Sequence, residues 1–264
     1  MALSWLNSLT IVGVAQRLQR EIPGGVILDQ YSNVSRTRST SVRHLMGLLQ
    51  VNNPLAHELT TGPEIIEALV NTPSTPEHPS SGKVDVFVAG AGTGGTITGI
   101  AKAIKKTHNK DCQVVGVDPV RAFPLVLTTF LTIPILQKGS ILAGPLETEC
   151  PVTYTVEGIG YDFVPEVLHF DDIDHWMKTE DAESFAAVST LMRREGLLVG
   201  GSSGSALSGA LRWLQSPEGQ EIAQTEGKNV VVLLADGYVI PGLSMIQIAN
   251  LISSPQHPQL HEQA

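Results

Sequence analysis

Residues 90–96 (GAGTGGT) concentrate four glycines, one alanine and two hydroxyls at one point of the chain. A turn of that kind lets backbone N–H groups approach an anion that any Cβ would hold away. A helix opening behind it adds the positive end of its dipole. Two ligands suit this chemistry. Gly90, Gly92 and Gly95 have the G-x-G-x-x-G spacing of a dinucleotide turn, and Asp118 follows where such folds place a ribose-binding acid. That reading gives an NAD-dependent dehydrogenase. Alternatively Gly92, Thr93, Gly94, Gly95 and Thr96 form a compact cup for a single phosphate.

A second small-residue run, 200–204 (GGSSG), has the G-x-S-x-G spacing of a hydrolase nucleophile centred on Ser202. Asp236 and then His257 or His261 supply the chain order Ser, Asp, His. Both histidines, however, sit in an aperiodic Pro/Gln-rich tail, and a hydrolase leaves the Gly90 turn without a role. A third segment, 157–163 (EGIGYDF), spaces Gly158 and Gly160 beside an acid and Tyr161, and neither a dehydrogenase nor a hydrolase needs it.

The elements that must position these residues alternate. Residues 84–89 (VDVFVA) read as a strand, and Ile97, Ile100, Ala101 and Ile104 behind the turn have the spacing of a helix with one buried face. Residues 113–117 form the next strand, ending at Asp118. Residues 196–199 read as a short strand into GGSSGS, whose helix carries Leu207, Ala210, Leu211 and Leu214 as its apolar stripe. Residues 230–235 (VVVLLA) are apolar throughout, the pattern of a central strand covered on both faces. Weaker signals predict helices over 14–22, from Pro63 and over 185–194, a strand over 26–30, and a Pro/Ser-rich loop over 71–82. Alternating strands and helices predict an α/β chain with a mainly parallel sheet and helices on both faces.

Composition narrows the classes. The chain has 264 residues, 42% hydrophobic and 16% charged, with a formal charge of −9. It is globular, and its surface as a whole repels nucleic acid and anionic membrane. There is no apolar run long enough for a membrane helix. Cys112 and Cys150 are too few for a disulfide framework and have no metal-site spacing, so inert thiols in a reducing, cytoplasmic setting are expected, with no metal.

The three segments together resemble the cystathionine β-synthases among the fold type II, tryptophan synthase β-like pyridoxal-phosphate enzymes. The resemblance runs through residues 13–33, 52–65 (NNPLAHELTTGPEI), 88–104, 138–145 (KGSILAGP), 156–168, 195–207 and 230–237. Cysteine synthases share the GTGGT cup, while DQY and EGIGYDF favour the former. The resemblance implies pyridoxal 5'-phosphate as cofactor, its phosphate on Gly92, Thr93, Gly94, Gly95 and Thr96, and its ring nitrogen on Ser202. It places Gly158, Gly160, Tyr161 and Tyr31 on the substrate side. It implies a homodimer that joins serine and homocysteine and releases water.

The chain also departs from that pattern. The eight lysines, Lys83, Lys102, Lys105, Lys106, Lys110, Lys138, Lys178 and Lys228, all lie outside the serine/valine–lysine–aspartate–arginine setting of the cofactor lysine. No catalytic residue is therefore assigned, and a non-catalytic chain that binds only the cofactor, a phosphate or a partner subunit is the second expectation. Segments 34–50 and 120–137 interrupt otherwise continuous family text. Each begins with valine and ends with glutamine, whose codons GT… and CAG can border an intron. The expected organisation is a truncated N-terminal and substrate part over 12–80, the phosphate-binding domain over 81–237, and an irregular tail over 238–264, the two segments being retained introns.

Overall fold

The computed structural model describes residues 11–27, 30–31, 53–120, 140–143, 154–161 and 163–235. In chain order its elements are α1 (Ile11–Glu21), α2 (Asn53–Leu59), α3 (Thr61–Val70), β1 (Val86–Gly90), α4 (Gly95–Thr107), β2 (Gln113–Pro119), β3 (His175–Thr179), α5 (Asp181–Thr190), α6 (Gly201–Gln215), α7 (Pro217–Gln224) and β4 (Val230–Val232). A π turn, Leu191–Glu195, closes α5, and Gly196 at φ +69° stops it in the left-handed region.

The four strands form one parallel sheet in the order β3-β2-β1-β4. β1 is apolar on both sides because both are covered. Phe87 and Ala89 face Ile97, Ile100 and Ile104 of α4, while Val86 and Val88 face Ala210 and Trp213 of α6. This is the α/β fold with helices on both faces that the alternating pattern predicts.

Several local expectations need correction. Residues 196–199 do not join the sheet; Leu197 and Leu198 are exposed, and only Val199 forms an isolated bridge. Of the strand expected over 26–30, residues 26, 27 and 30 are irregular, and 28 and 29 lie outside the described residues. The stripe assigned to α6 holds for Ala210, which is buried, and for Leu207 and Leu214, which pack half-buried against the core, but not for Leu211. Leu211 is 51% exposed, whereas Ser202, Ser205, Ala206, Gly209, Ala210 and Trp213 are buried. The helix lies so close to β2 that a Cβ on Gly209 would come 2.6 Å from Val117, and that proximity buries small residues. β4 is half-buried rather than central, because no described strand covers its outer edge. Pro63 falls within the first turn of α3, where its missing N–H has no intrahelical partner to lose.

Segment 34–50 lies outside the described residues, as does 120–137 except for Val120. The chain on either side of the second segment comes together. Ser140 hydrogen-bonds to Asp118, and the Ala143 N–H donates to the same carboxylate at 2.9 Å. Residues 238–264 also lie outside the described residues. Among the described residues, no helix is long and apolar enough to cross a membrane.

Candidate functional site

β1 ends at Gly90, and the chain turns through residues 91–94 into α4. Gly94 caps that helix at φ +84°, a conformation that favours glycine. The first N–H groups of α4 have no intrahelical acceptors and point out of the turn. A cavity of about 490 Å³ opens there, at the carboxyl ends of β1 and β4. The strand connections diverge at this point, since β2 lies on one side of β1 and β4 on the other, which is the usual place for a ligand in an open α/β sheet.

The cavity gathers residues from five stretches of sequence. Gly92, Thr93, Gly94 and Thr96 supply the floor, and Gly158 and Tyr161 one wall. Ser202, from the first turn of α6, supplies another, and Gln30 and Leu233 close the remainder. Ser202 is 6% exposed, and its hydroxyl has no partner among the described residues. Gly95 and Gly160 are not on the cavity wall. A Cβ on Gly95 would fall 2.1 Å from the Asn53 side chain, and one on Gly160 would fall 2.6 Å from Pro119. These two glycines therefore permit close packing behind the cavity. Tyr31 stands behind Tyr161, its hydroxyl 3.2 Å from the Tyr161 hydroxyl and the two rings edge to face at 5.3 Å.

The EGIGY wall is pinned at several points. The Gly160 N–H donates to Ala91 O at 2.8 Å, and the Tyr154 hydroxyl to Gly160 O at 2.9 Å. A Cβ on Gly92 would meet Gly158 O at 2.4 Å, so the wall and the turn touch backbone to backbone. Asp181, opening α5, accepts from the N–H groups of Thr155 and Val156 at 2.7 and 3.2 Å. Burial, then the hydrogen bond with Tyr31, pushes the Tyr161 phenol well above its usual range, so it stays neutral.

Asp118 has a different task from the one its spacing suggests. It is fully buried and spends its oxygens on Ser140, on Lys178 Nζ at 2.6 Å and on Ala143 N–H. It has no oxygen to offer a ribose, and the dinucleotide reading loses its second element. Asp236, His257 and His261, which the hydrolase reading needs, lie outside the described residues. Cys112 is buried, and its thiol is pushed up to about 12 by burial, which makes it inert.

Sequence reasoning overlooked the residues outside the turn. α2 lies against α4, and its Asn53 donates from Nδ2 to Thr93 Oγ1 at 2.8 Å. One turn on, His57 Nε2 lies 3.0 Å from Thr96 Oγ1, and its Nδ1 lies 3.0 Å from Thr61 Oγ1. A recoverable signal existed, since Asn53 and His57 stand four residues apart around a helix-starting proline. Among the described residues no lysine lies on the cavity wall, and no group of three or more His, Cys, Asp or Glu is arranged to hold a metal.

A cavity floored by a glycine turn at a helix N-terminus, and walled by a serine and a tyrosine, offers the kind of place where a phosphate group binds. Residues 8–236 match the family described as pyridoxal-phosphate dependent enzymes. The chain belongs to that family. It is 42% identical over 227 residues to cystathionine beta-synthase of Oryctolagus cuniculus, covering 85% of this chain and 31% of the relative. The Dictyostelium discoideum cystathionine beta-synthase is 41% identical, with 85% and 34% covered. Cysteine synthase A of Escherichia coli K12 is 36% identical over 183 residues, with 69% and 47% covered. The chain thus spans about a third of the length of the cystathionine beta-synthases it matches.

Proposed function

We propose that this chain carries the phosphate and ring walls of a pyridoxal-phosphate site for β-replacement on serine, with homocysteine as acceptor and cystathionine as product. The observation that supports it is the meeting of the GTGGT turn and Ser202 in one cavity, with EGIGY facing both. The cavity fits the cofactor on its own terms, because Thr93 and Thr96 line its floor at the N-terminus of α4 and the buried Ser202 lines its wall.

In this reading the turn N–H groups and the hydroxyls of Thr93 and Thr96 hold the phosphate. The Ser202 hydroxyl bonds the ring nitrogen, and Gly158 and Tyr161, backed by Tyr31, border the amino-acid side. Gly95 and Gly160 contribute by allowing neighbours close. The bound cofactor supplies an electron sink for departure of the serine hydroxyl. A hydroxyl partner, unlike a carboxylate, does not keep the ring nitrogen protonated, which suits elimination and replacement at Cβ. Tyr161, held neutral, orients and excludes water but carries no charge. The likeness to cysteine synthase A keeps a sulfide-type acceptor as the second reading. The homodimer and the cytoplasmic setting belong to the same proposal.

We further propose that this polypeptide by itself holds the cofactor through phosphate and ring contacts and not through a lysine. Incubation with pyridoxal phosphate, dialysis and absorbance test it. The expected outcome is stoichiometric binding that dialysis reverses. A visible band (about 410 nm) that resists dialysis and maps to a lysine after borohydride reduction overturns it. Segment 120–137 reads as excisable, supported by the Asp118–Ser140 contact across it; a spliced transcript that retains it overturns that reading.

A further inference from the structure

We propose that Asn53 and His57 of α2 are positioning residues that aim the hydroxyl protons of Thr93 and Thr96 into the cavity, toward the phosphate. The proposal rests on the pyridoxal-phosphate reading of the cavity above.

A threonine hydroxyl has one proton and two lone pairs. It donates to an anion reliably only when other donors occupy its oxygen from behind. At Thr93 that condition is met twice. Asn53 Nδ2 donates to Oγ1 at 2.8 Å, and the Gly95 N–H donates to it at 3.4 Å. With both donors arriving from outside the cavity, the hydroxyl proton is left for the cavity side. The Asn53 amide is oriented in turn by Gln30 O, which lies 3.4 Å from Nδ2 and accepts only.

At Thr96 the donor is His57. Its Nε2 lies 3.0 Å from Thr96 Oγ1 and its Nδ1 lies 3.0 Å from Thr61 Oγ1. If Nε2 carries the proton, Nδ1 accepts from the Thr61 hydroxyl, Nε2 donates to Thr96, and the Thr96 proton turns to the phosphate. The opposite tautomer takes the Thr96 proton for itself and presents a lone pair to the anion. A bound phosphate therefore selects the Nε2–H ring. Burial depresses the basicity of His57, which keeps the ring neutral and able to accept from Thr61.

The packing serves this alignment. Asn53 and His57 lie on one face of α2, four residues apart, matching Thr93 and Thr96 three apart along the turn. A Cβ on Gly99 would sit 2.1 Å from Pro54 O and 2.8 Å from His57 Cβ. Glycine at 95 and 99 thus brings α2 within hydrogen-bond reach of the cup. Both side-chain donors, Asn53 and His57, are neutral, and each is fixed in direction by a second partner, the arrangement by which outer residues orient inner ones.

The test uses the full chain and three probes: pyridoxal 5'-phosphate, pyridoxal without phosphate, and inorganic phosphate. His57→Leu and Asn53→Ala are each expected to weaken pyridoxal phosphate and inorganic phosphate about tenfold, the scale of a misdirected hydrogen bond to a charge. Pyridoxal binding should stay within about twofold of wild type. His57→Gln, which keeps a donor, should recover much of the loss. Equal weakening of all three probes overturns the proposal, since it marks a purely structural helix. Unchanged phosphate binding also overturns it. Imidazole ¹⁵N shifts of the unmutated chain give a second readout that does not depend on a variant folding. The Nε2–H tautomer of His57 on addition of inorganic phosphate is expected, and an Nδ1–H or protonated ring overturns the assignment. Failure of the unmutated chain to bind either phosphate-bearing probe removes the pyridoxal-phosphate reading itself, and this proposal with it.

Discussion

The two faces of the sheet are covered by helices of opposite character. On one, α4 presses Ile97, Ile100 and Ile104 onto Phe87 and Ala89, all fully buried. On the other, α6 buries Ser205, Ala206, Gly209 and Ala210, and only Trp213 at its far end is large. The α4 face is filled by side-chain volume, the α6 face by proximity of the backbone. Each solution suits what its helix carries. α4 must leave its N-terminus open as a cup, so its packing weight sits beyond the first turn. α6 must bring Ser202 to the cavity wall, so its first turn lies deep and small residues let it do so.

The largest expected effect comes from emptying the first face. Ile100→Ala should cost about 4 kcal/mol, because the site is closed on all sides and cannot collapse. A urea midpoint that falls with an unchanged slope checks it. On the second face the damaging change runs the other way. At Gly209 a Cβ would lie 2.6 Å from the fully buried Val117 side chain of β2. Gly209→Ala should cost about 2 kcal/mol by overpacking, despite a helix-propensity gain of about 1 kcal/mol. If Gly209→Ala is neutral, α6 is not held by close approach and the contrast fails.

This contrast also explains what could be read in advance. The α4 face was legible because three isoleucines at helical spacing announce a buried stripe. The α6 face was not, because serine, glycine and alanine carry no hydropathy signal and are buried only by the distance between backbones. β3 was overlooked for a related reason: His175, Trp176, Met177 and Lys178 look amphipathic, and their place beside β2 is fixed by register rather than by pattern. In the cavity, the turn and Ser202 stood out by composition. Asn53 and His57 did not, since their work is done on residues 40 and 39 positions away, a pairing that only the fold reveals.

A smaller effect lies where β1 and β4 begin. Asp85 is 5% exposed and accepts from Lys228 Nζ at 2.8 Å, Ser81 Oγ at 2.6 Å and Asn229 N at 3.0 Å. Burial alone would raise its carboxyl, but these three donors outweigh it and hold it below the ordinary value. With the folded pKa depressed, this stabilisation is complete above the unfolded value near 3.8 and is lost as pH falls through the folded one. Asp85→Asn should cost about 2 kcal/mol at neutral pH and flatten the acid limb of the stability profile. An acid limb unchanged in the variant shows that the strands are pinned elsewhere.

The smallest expected effect separates pattern from packing on α6 itself. Leu211 belongs to the apolar stripe that periodicity assigns to this helix, yet half of it faces solvent. If the stripe were the buried face, Leu211→Ala would open a cavity worth about 2 kcal/mol or more. Because the buried ridge runs through Ala206, Gly209, Ala210 and Trp213 and leaves Leu211 at its edge, truncation should cost less than about 0.5 kcal/mol. The same truncation leaves the Gly209–Val117 contact untouched, so Ser202 keeps its place and cofactor affinity should not move. A loss of both stability and affinity in Leu211→Ala would mean that the exposed edge of α6 helps to set the helix, and that the small residues beneath it do not suffice.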